Sequence, residues 1–145
     1  MSIDILRIIL DFGLLVLIWV VQRIIYPGFQ YYNADNLIVW HRKYTLRIGF
    51  IVAPLMIGQL GISLGQVFFT PSIYTVVSLI FIVLVWISTF LQFVPMHTNI
   101  SKGVVSEKLL RSLVYKNWLR TFLWTVLFLM SLYHLLTKTH MQFLN

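Results

Sequence analysis

Two histidines carry the clearest candidate chemistry in this sequence. His41 lies in a basic and aromatic run, residues 40–44 (WHRKY), and His97 follows a proline and a methionine. The chain contains no cysteine, so neutral imidazoles are its strongest ligands for haem or a divalent metal ion. We therefore predict His41 and His97 as metal ligands. Without a nearby carboxylate such a site is incomplete, and hydrogen bonding to water, phosphate or backbone is the alternative interpretation.

A second polar cluster opens the last hydrophobic segment of the chain. Arg120 and Thr121 follow Asn117 by three and four residues, so on a helix the three residues share one face. That face presents an amide, a guanidinium and a hydroxyl, which suit an anionic ligand or a carbonyl. We predict His97, Asn117 and Arg120 as catalytic residues. Interfacial anchoring by Arg120 and the neighbouring Trp118 is the alternative interpretation.

Polar side chains inside apolar segments are costly, so each must be paired or functional. Asp11, Gln22 and Tyr26 are separated by eleven and four residues, close to three helical turns and one turn. They therefore share a face that we expect to point into a helical bundle. Arg7 precedes Asp11 by four residues, and the sequence predicts an ion pair between them.

Gln59 is the polar residue expected deepest in a membrane. It follows Arg47 by twelve residues, which corresponds to about 18 Å along a helix. We expect Gln59 to need a hydrogen-bond partner there. Together with Gln22, Tyr26 and Gln92 it is predicted to bind substrate, in the deeper part of a cavity.

The composition determines the setting in which these residues act. The 145 residues are 59% hydrophobic and only 10% charged, with a mean hydropathy of +0.87. Soluble proteins carry about 25% charged residues, so a soluble domain of this length is excluded. The net charge of +7 is explained by membrane topology and anionic lipid, and we predict no nucleic-acid partner.

The longest uncharged stretch divides into two membrane spans. Residues 48–101 contain no Asp, Glu, Lys or Arg, whereas one crossing takes about 20 residues. Thr70-Pro71-Ser72 supplies the break, with Pro71 expected at the first position of a helix. The sequence thus predicts one domain over residues 1–145, an all-α integral membrane four-helix bundle with spans at residues 5–26, 44–66, 72–94 and 117–136.

Local signals predict where the helices begin and end. Pro27-Gly28 is expected to stop the first helix, while Asp35 and Ser106 are expected to cap the helices that lead into the second and fourth spans. The first hydrophobic segment contains Asp11 and lacks a small-residue cleavage site. We therefore expect it to be a permanent span and not a removed signal peptide.

The basic residues predict an orientation. Nine of the eleven lie at or near the connections between helices 1 and 2 and between helices 3 and 4: Arg23, Arg42, Lys43, Arg47, Lys102, Lys108, Arg111, Lys116 and Arg120. Only Arg7 and Lys138 lie on the other side. Because short cytoplasmic loops are rich in Lys and Arg, we expect both termini on the non-cytoplasmic side of a multi-pass protein of the bacterial inner membrane.

Part of the sequence resembles a known family. Residues 92–100 (QFVPMHTNI) and residues 115–121 (YKNWLRT) resemble the late half of the anthrone-oxygenase-like family, small four-span membrane proteins of unknown function. That family has a proline with a polar residue shortly after helix 3, and an Asn-x-x-Arg pattern opening helix 4. The matching residues here are Pro95, His97, Asn117 and Arg120. The resemblance implies the four-span fold.

Two functional hypotheses follow. The first is a membrane enzyme or redox protein that acts on a hydrophobic substrate, such as a quinone or polycyclic aromatic, in a cytoplasm-facing polar cavity. The alternative is a non-enzymatic helper subunit or an oligomeric scaffold, because Gly58, Gly61 and Gly65 allow another helix to approach closely. The predicted partners are the lipid bilayer, a hydrophobic small molecule and further copies of the chain. A transporter fits less well, since one four-helix unit leaves little room for alternating access.

Overall fold

The computed structural model describes residues 3–143, with side chains up to Met141. Residues 1, 2, 144 and 145 of the predicted domain lie outside the described residues. Four helices make up nearly all of the described chain: α1 (Ile3–Tyr31), α2 (Ala34–Phe69), α3 (Ile73–Ser101) and α4 (Glu107–Phe143). The all-α four-helix prediction is confirmed.

Each helix is long and apolar enough to cross a membrane. The predicted spans 5–26, 44–66 and 117–136 lie inside α1, α2 and α4, and the span 72–94 begins one residue before α3. Large apolar side chains cover the outer surface, and Phe50 is 82% exposed and Leu91 73% exposed. Such a surface matches the hydrocarbon of a bilayer and not water.

The helices form an antiparallel bundle in which consecutive helices are neighbours and α4 closes against α1. The end of the bundle that holds the α1–α2 and α3–α4 connections, residues 32–33 and 102–106, is called the basic end. The opposite end, with the turn Thr70-Pro71-Ser72, is called the terminal end. Every candidate metal ligand and catalytic residue lies in the half of the bundle nearer the basic end.

Helix α1 does not stop at Pro27-Gly28, so that prediction is wrong. A π-helical turn spans Val21–Ile25, the amide of Tyr26 donates to the carbonyl of Val21, and the helix continues to Tyr31. A proline lacks an amide hydrogen and crowds the carbonyl four residues earlier. The wider turn accommodates Pro27 without breaking the helix.

Helix α3 repeats this arrangement. A π-helical turn spans Thr89–Phe93, the amide of Val94 donates to the carbonyl of Thr89, and Pro95 follows. Both π-turns therefore begin six residues before a proline, on helices that are diagonal in the bundle and at the same end of it. The sequence analysis did not predict either turn.

The structure confirms one of the predicted helix caps and corrects two other predictions about where helices begin. Ser106 Oγ accepts the amide of Leu109 at 3.2 Å, as expected for the cap of α4. The cap of α2 is Asn33, whose Oδ1 accepts the amide of Asn36, so Asp35 lies within the first turn instead. Ser72 caps α3 in a capping box with Thr75, which places Pro71 before the cap and not at the first helical position.

A buried polar network holds the terminal half of the bundle together. Arg7 Nε donates to Asp11 Oδ2 at 2.8 Å, and both side chains are fully buried, which confirms the predicted pair. Gln59 Nε2 donates to Asp11 Oδ1 at 2.6 Å, and Trp124 Nε1 donates to Gln59 Oε1 at 3.3 Å. These bonds join α1, α2 and α4 and supply the partners that Gln59 requires.

Candidate functional site

Four side chains from three helices form one hydrogen-bonded chain near the basic end. The Oη of Tyr26 lies 2.9 Å from Nε2 of His97, and Nδ1 of His97 lies 2.8 Å from Nε2 of His41. Nδ1 of His41 lies 3.0 Å from Oγ of Ser101. We call these four residues the histidine chain. The structure thus brings the two predicted metal ligands into direct contact.

The geometry of the histidine chain restricts its protonation. Each contact between two residues needs one hydrogen and one lone pair, and a neutral imidazole supplies one of each. Two arrangements satisfy all three contacts: either Nδ1 carries the hydrogen on both rings, or Nε2 does. Converting one arrangement into the other moves a proton along the whole chain, so this geometry allows a proton to pass between Tyr26 and Ser101.

The local helix geometry explains why these residues meet. Tyr26 and His97 both follow a π-turn, which inserts one extra residue and rotates the helix that follows by roughly 100°. His97 and Ser101 are four residues apart and therefore share a face of α3. His41 reaches them because α2 begins at Ala34, well before the membrane span that was predicted to start at residue 44.

Aromatic rings enclose His41. The ring of Phe29 packs edge-on against His41 at 5.5 Å between centroids and edge-on against Tyr44 at 5.4 Å. His41 is fully buried, while Phe29 is 1% exposed and Tyr44 7% exposed. The shell keeps bulk water from competing for the imidazole hydrogen bonds, which strengthens them.

Arg120 is a buried cation whose guanidinium lies between two aromatic rings. Its Cζ is 4.3 Å from the ring centroid of Phe93 and 5.1 Å from that of Trp124. It also lies beside Tyr26, close enough to interact electrostatically with the phenol. Among the described residues its Nε has no hydrogen-bond partner. Cation–π contact stabilises the charge in part, and no carboxylate of residues 3–141 pairs with it.

A cavity of about 490 Å³ connects these groups and is called the central cavity. Its wall is largely apolar and includes Leu17, Val21, Ile48, Val52 and Phe93. Nine side chains with polar ends also line it: Tyr26, Tyr44, Thr45, Thr89, His97, Thr98, Ser101, Lys102 and Arg120. Binding sites for small molecules combine an apolar wall with a few convergent polar groups in this way, and the volume is in their usual range.

Asn117 and Gln22, although predicted to act on substrate, bind each other beneath the cavity. Asn117 Nδ2 donates to Gln22 Oε1 at 2.8 Å, and Gln22 Nε2 donates to the carbonyl of Val114 at 3.2 Å. Thr121 Oγ1 lies 3.3 Å from the same Gln22 oxygen. This network fixes α1 against α4 and so positions Arg120, which follows Asn117 by three residues.

The other two predicted substrate-binding glutamines lie elsewhere. Gln59 belongs to the terminal network with Asp11. Gln92 lines a separate surface depression between α3 and α4, together with Tyr115 and Trp118. Of the four predicted substrate-binding residues, the structure therefore brings only Tyr26 to the central cavity.

The two histidines do not fit a metal or haem site as they are arranged. All four ring nitrogens are used in hydrogen bonds, two of them to each other and two to hydroxyl groups. Residues 3–141 contain no group of three His, Asp or Glu side chains that could surround an ion. Two ligands alone leave a divalent ion without the four or more that it requires.

Two members of the site were missed from the sequence although helical spacing could have indicated them. Tyr44 follows His41 by three residues and Ser101 follows His97 by four, so each shares a face with its histidine. Phe93 and Trp124, the rings around Arg120, had no comparable signal. Their role depends on how α3 and α4 approach each other.

The fold and the site define a bundle of four helices long enough to cross a membrane, with a largely apolar cavity near its basic end that also contains polar side chains. Neither a protein-family model, nor a curated protein, nor a solved structure matches this chain. The resemblance to the anthrone-oxygenase-like family therefore stays a prediction. Of the four residues that carry it, His97 and Arg120 line the central cavity, Asn117 braces Arg120, and Pro95 follows the π-turn of α3.

Proposed function

We propose that this protein is a membrane-embedded enzyme or redox protein that acts on a hydrophobic substrate bound in the central cavity. Tyr26 and Arg120 act on the reacting oxygen as catalytic residues, and His97 supplies the proton that Tyr26 transfers. Asn117 and Gln22 act as positioning residues. The single observation that carries this proposal is that Tyr26, at one end of the histidine chain, and its neighbour His97 lie beside Arg120 in a cavity with apolar walls.

The arrangement supports proton transfer to an oxygen of the substrate. Tyr26 Oη donates its proton to that oxygen and takes one from Nε2 of His97. His97 takes a proton at Nδ1 from Nε2 of His41, and His41 takes one at Nδ1 from Ser101 and the aqueous phase. Every group returns to its neutral form, and the reverse sequence removes a proton from the substrate. Arg120 stabilises negative charge on the reacting oxygen.

The cavity favours a substrate with an aromatic body. The wall of the cavity includes the aromatic residues Tyr44 and Phe93 beside aliphatic ones, and a flat apolar molecule can pack against this wall. Quinones and oxygenated polycyclic aromatics have the required size, apolar body and oxygen. They also dissolve in the bilayer that surrounds the bundle.

The expected location of the protein is the bacterial inner membrane, with both termini on the non-cytoplasmic side and with bilayer lipid as its constant partner. Support comes from the clustering of nine of the eleven basic residues near the basic end. The chain has no cysteine, so a single introduced one reports sidedness cleanly. Lys102→Cys is expected to be protected from an impermeant external thiol reagent and Pro71→Cys to be labelled. The opposite pattern would invert the orientation.

Ligand-induced stabilisation tests the proposed function. The purified protein is heated in detergent with 2-naphthol or with naphthalene, which has the same rings without oxygen. We expect 2-naphthol to raise the unfolding temperature and naphthalene to raise it far less, because only the former can bind the polar groups. Tyr26→Phe should abolish the difference, and Tyr115→Phe, an exposed tyrosine outside the cavity, should retain it. Equal shifts with both compounds would contradict the proposal.

A second candidate, the helper subunit or oligomeric scaffold, is favoured by two glycines of α2. A methyl group added at Gly61 or Gly65 would meet open space, so this surface is not used for packing within the chain. Gly58 differs, since a methyl group there would lie 3.2 Å from Leu10 of α1. Native mass spectrometry should show oligomers that Gly61→Leu and Gly65→Leu disrupt. A monomeric wild-type protein would remove this candidate.

A further inference from the structure

We propose that the natural ligand of the central cavity is an acidic amphiphile that reaches it from the bilayer through a groove between α1 and α2. Its apolar body fills the cavity and its single anionic oxygen group pairs with Arg120. This inference rests on the proposed function and narrows its substrate to one chemical class.

The first argument is the absence of an internal counter-ion for Arg120. The sequence contains four acidic residues, all of them described. Asp4 pairs with Lys138, Asp11 with Arg7, and Glu107 with Arg111, while Asp35 is exposed at the start of α2. Each acid is therefore paired or held outside the bundle, and none of them balances the charge of Arg120.

The second argument is the burial of Arg120. The residue is 7% exposed, lines the central cavity, and has an Nε without a partner among the described residues. A buried charge is strongly destabilising unless it is paired and hydrogen-bonded. A carboxylate, phenolate or acidic enol supplies both the charge and the acceptor oxygens that a guanidinium binds best.

The third argument is the access route. An apolar groove between α1 and α2 includes Phe12 and Val16, which are 54% and 47% exposed on the outer surface. It shares Leu17, Val21 and Ile48 with the central cavity. The groove thus leads from the lipid-facing surface to the apolar wall of the cavity, a path suited to a molecule dissolved in the bilayer.

Two isosteric probes test the charge requirement. 2-Naphthoate and 2-naphthamide differ in charge but hardly in shape, and their affinities are measured by titration of the purified protein in detergent. We expect the wild-type protein to bind the acid about tenfold more tightly than the amide, or better. Arg120→Gln should remove the preference, and Arg23→Gln, an exposed arginine on α1, should retain it.

The outcomes separate this inference from the proposed function. If wild-type protein binds acid and amide equally, the acidic-ligand inference is overturned while the proposed function stands. If neither probe binds, both are overturned. The comparison of the two probes on wild-type protein needs no variant, so it is decisive even if Arg120→Gln does not fold. Competition with palmitate then distinguishes the two sources of the acid. If palmitate displaces bound 2-naphthoate, the ligand is a lipid-derived acid, and if 2-naphthoate stays bound, the ligand is an aromatic acid.

Blocking the groove tests the route. Val16→Trp fills the groove without touching the central cavity, and Ile24→Trp places the same ring on an exposed surface of α1 outside it. With protein in lipid nanodiscs, Val16→Trp should slow association of 2-naphthoate several-fold and leave its equilibrium affinity unchanged, whereas Ile24→Trp should change neither. An association rate equal to that of wild type in Val16→Trp would overturn the route.

Discussion

His41 and His97 use all four of their ring nitrogens in hydrogen bonds to neighbouring side chains. We predicted from the sequence that both residues bind a metal. The structure brings the two rings together, but the direct bond between them and the two flanking hydroxyl groups leave no free ligand atom. The hydrogen bonds of the two rings therefore fit the proton transfer that we propose better than they fit metal binding.

The histidine chain makes a spectroscopic prediction. All three hydrogen bonds between Tyr26 and Ser101 must donate in the same direction along the chain. Both imidazoles are therefore expected to be neutral and to carry the same tautomer at any moment. Nitrogen-15 NMR of histidine-labelled protein measures the tautomer of each ring, with exposed His140 as the internal reference. Opposite tautomers on His41 and His97, or an imidazolium on either, would contradict the proposed relay.

At the scale of elements, two π-turns position the site. Each ends just before a proline and each is followed by a member of the histidine chain, Tyr26 on α1 and His97 on α3. Restoring the plain α-helix in either element would rotate that side chain away from its partner. The function we propose therefore depends on the two prolines, although neither touches the central cavity.

Pro95→Ala tests this dependence. An alanine amide can bond to the preceding turn, and removing a proline from a helix interior favours the regular α-helix by about 3 kcal/mol. We expect α3 to lose its π-turn, probe affinity to fall several-fold, and thermal stability to be unchanged or higher. Pro54→Ala, within α2 and away from either π-turn, is expected to leave affinity unchanged. Reduced stability with normal affinity in Pro95→Ala would contradict the interpretation.

The same elements show what the sequence could predict. Hydropathy placed the four helices because lipid exposure affects every residue of a span, and helical spacing identified the buried face of Asp11, Gln22 and Tyr26. The prediction that Pro27 stops α1 was wrong because a neighbouring π-turn accommodates the proline, and nothing in the local sequence indicates such a turn. The separation of Gln59 and Gln92 from the cavity depends on how the helices are rotated, which packing between helices determines.

At the scale of the whole molecule, two polar networks divide the bundle. One joins α1, α2 and α4 in the terminal half through Arg7, Asp11 and Gln59, and the other contains the histidine chain and Arg120. Trp124 contacts both networks, because its indole N–H donates to Gln59 and its ring packs against Arg120. We interpret the first network as structural and the second as functional.

Asp11→Asn tests that division. Removing the carboxylate leaves Arg7 as an unpaired buried charge, which costs about 3–5 kcal/mol of unfolding free energy. Denaturant unfolding in mixed micelles measures the loss, and replacing Arg7 and Asp11 together with leucine should restore most of it. Because the central cavity is separate, the double variant should bind 2-naphthoate as the wild type does. Loss of binding in a stably folded double variant would show that the networks are not independent.

We propose above that a hydrophobic molecule binds where the histidine chain and Arg120 meet. Photolabelling with a diazirine derivative of 2-naphthoate in nanodiscs tests it most directly, with the labelled residues read by peptide mass spectrometry. We expect labels on cavity-lining residues such as Tyr44, Val52 and Thr89, and we expect excess 2-naphthoate to prevent this labelling. Labels confined to the lipid-facing surface, or unaffected by competitor, would contradict it.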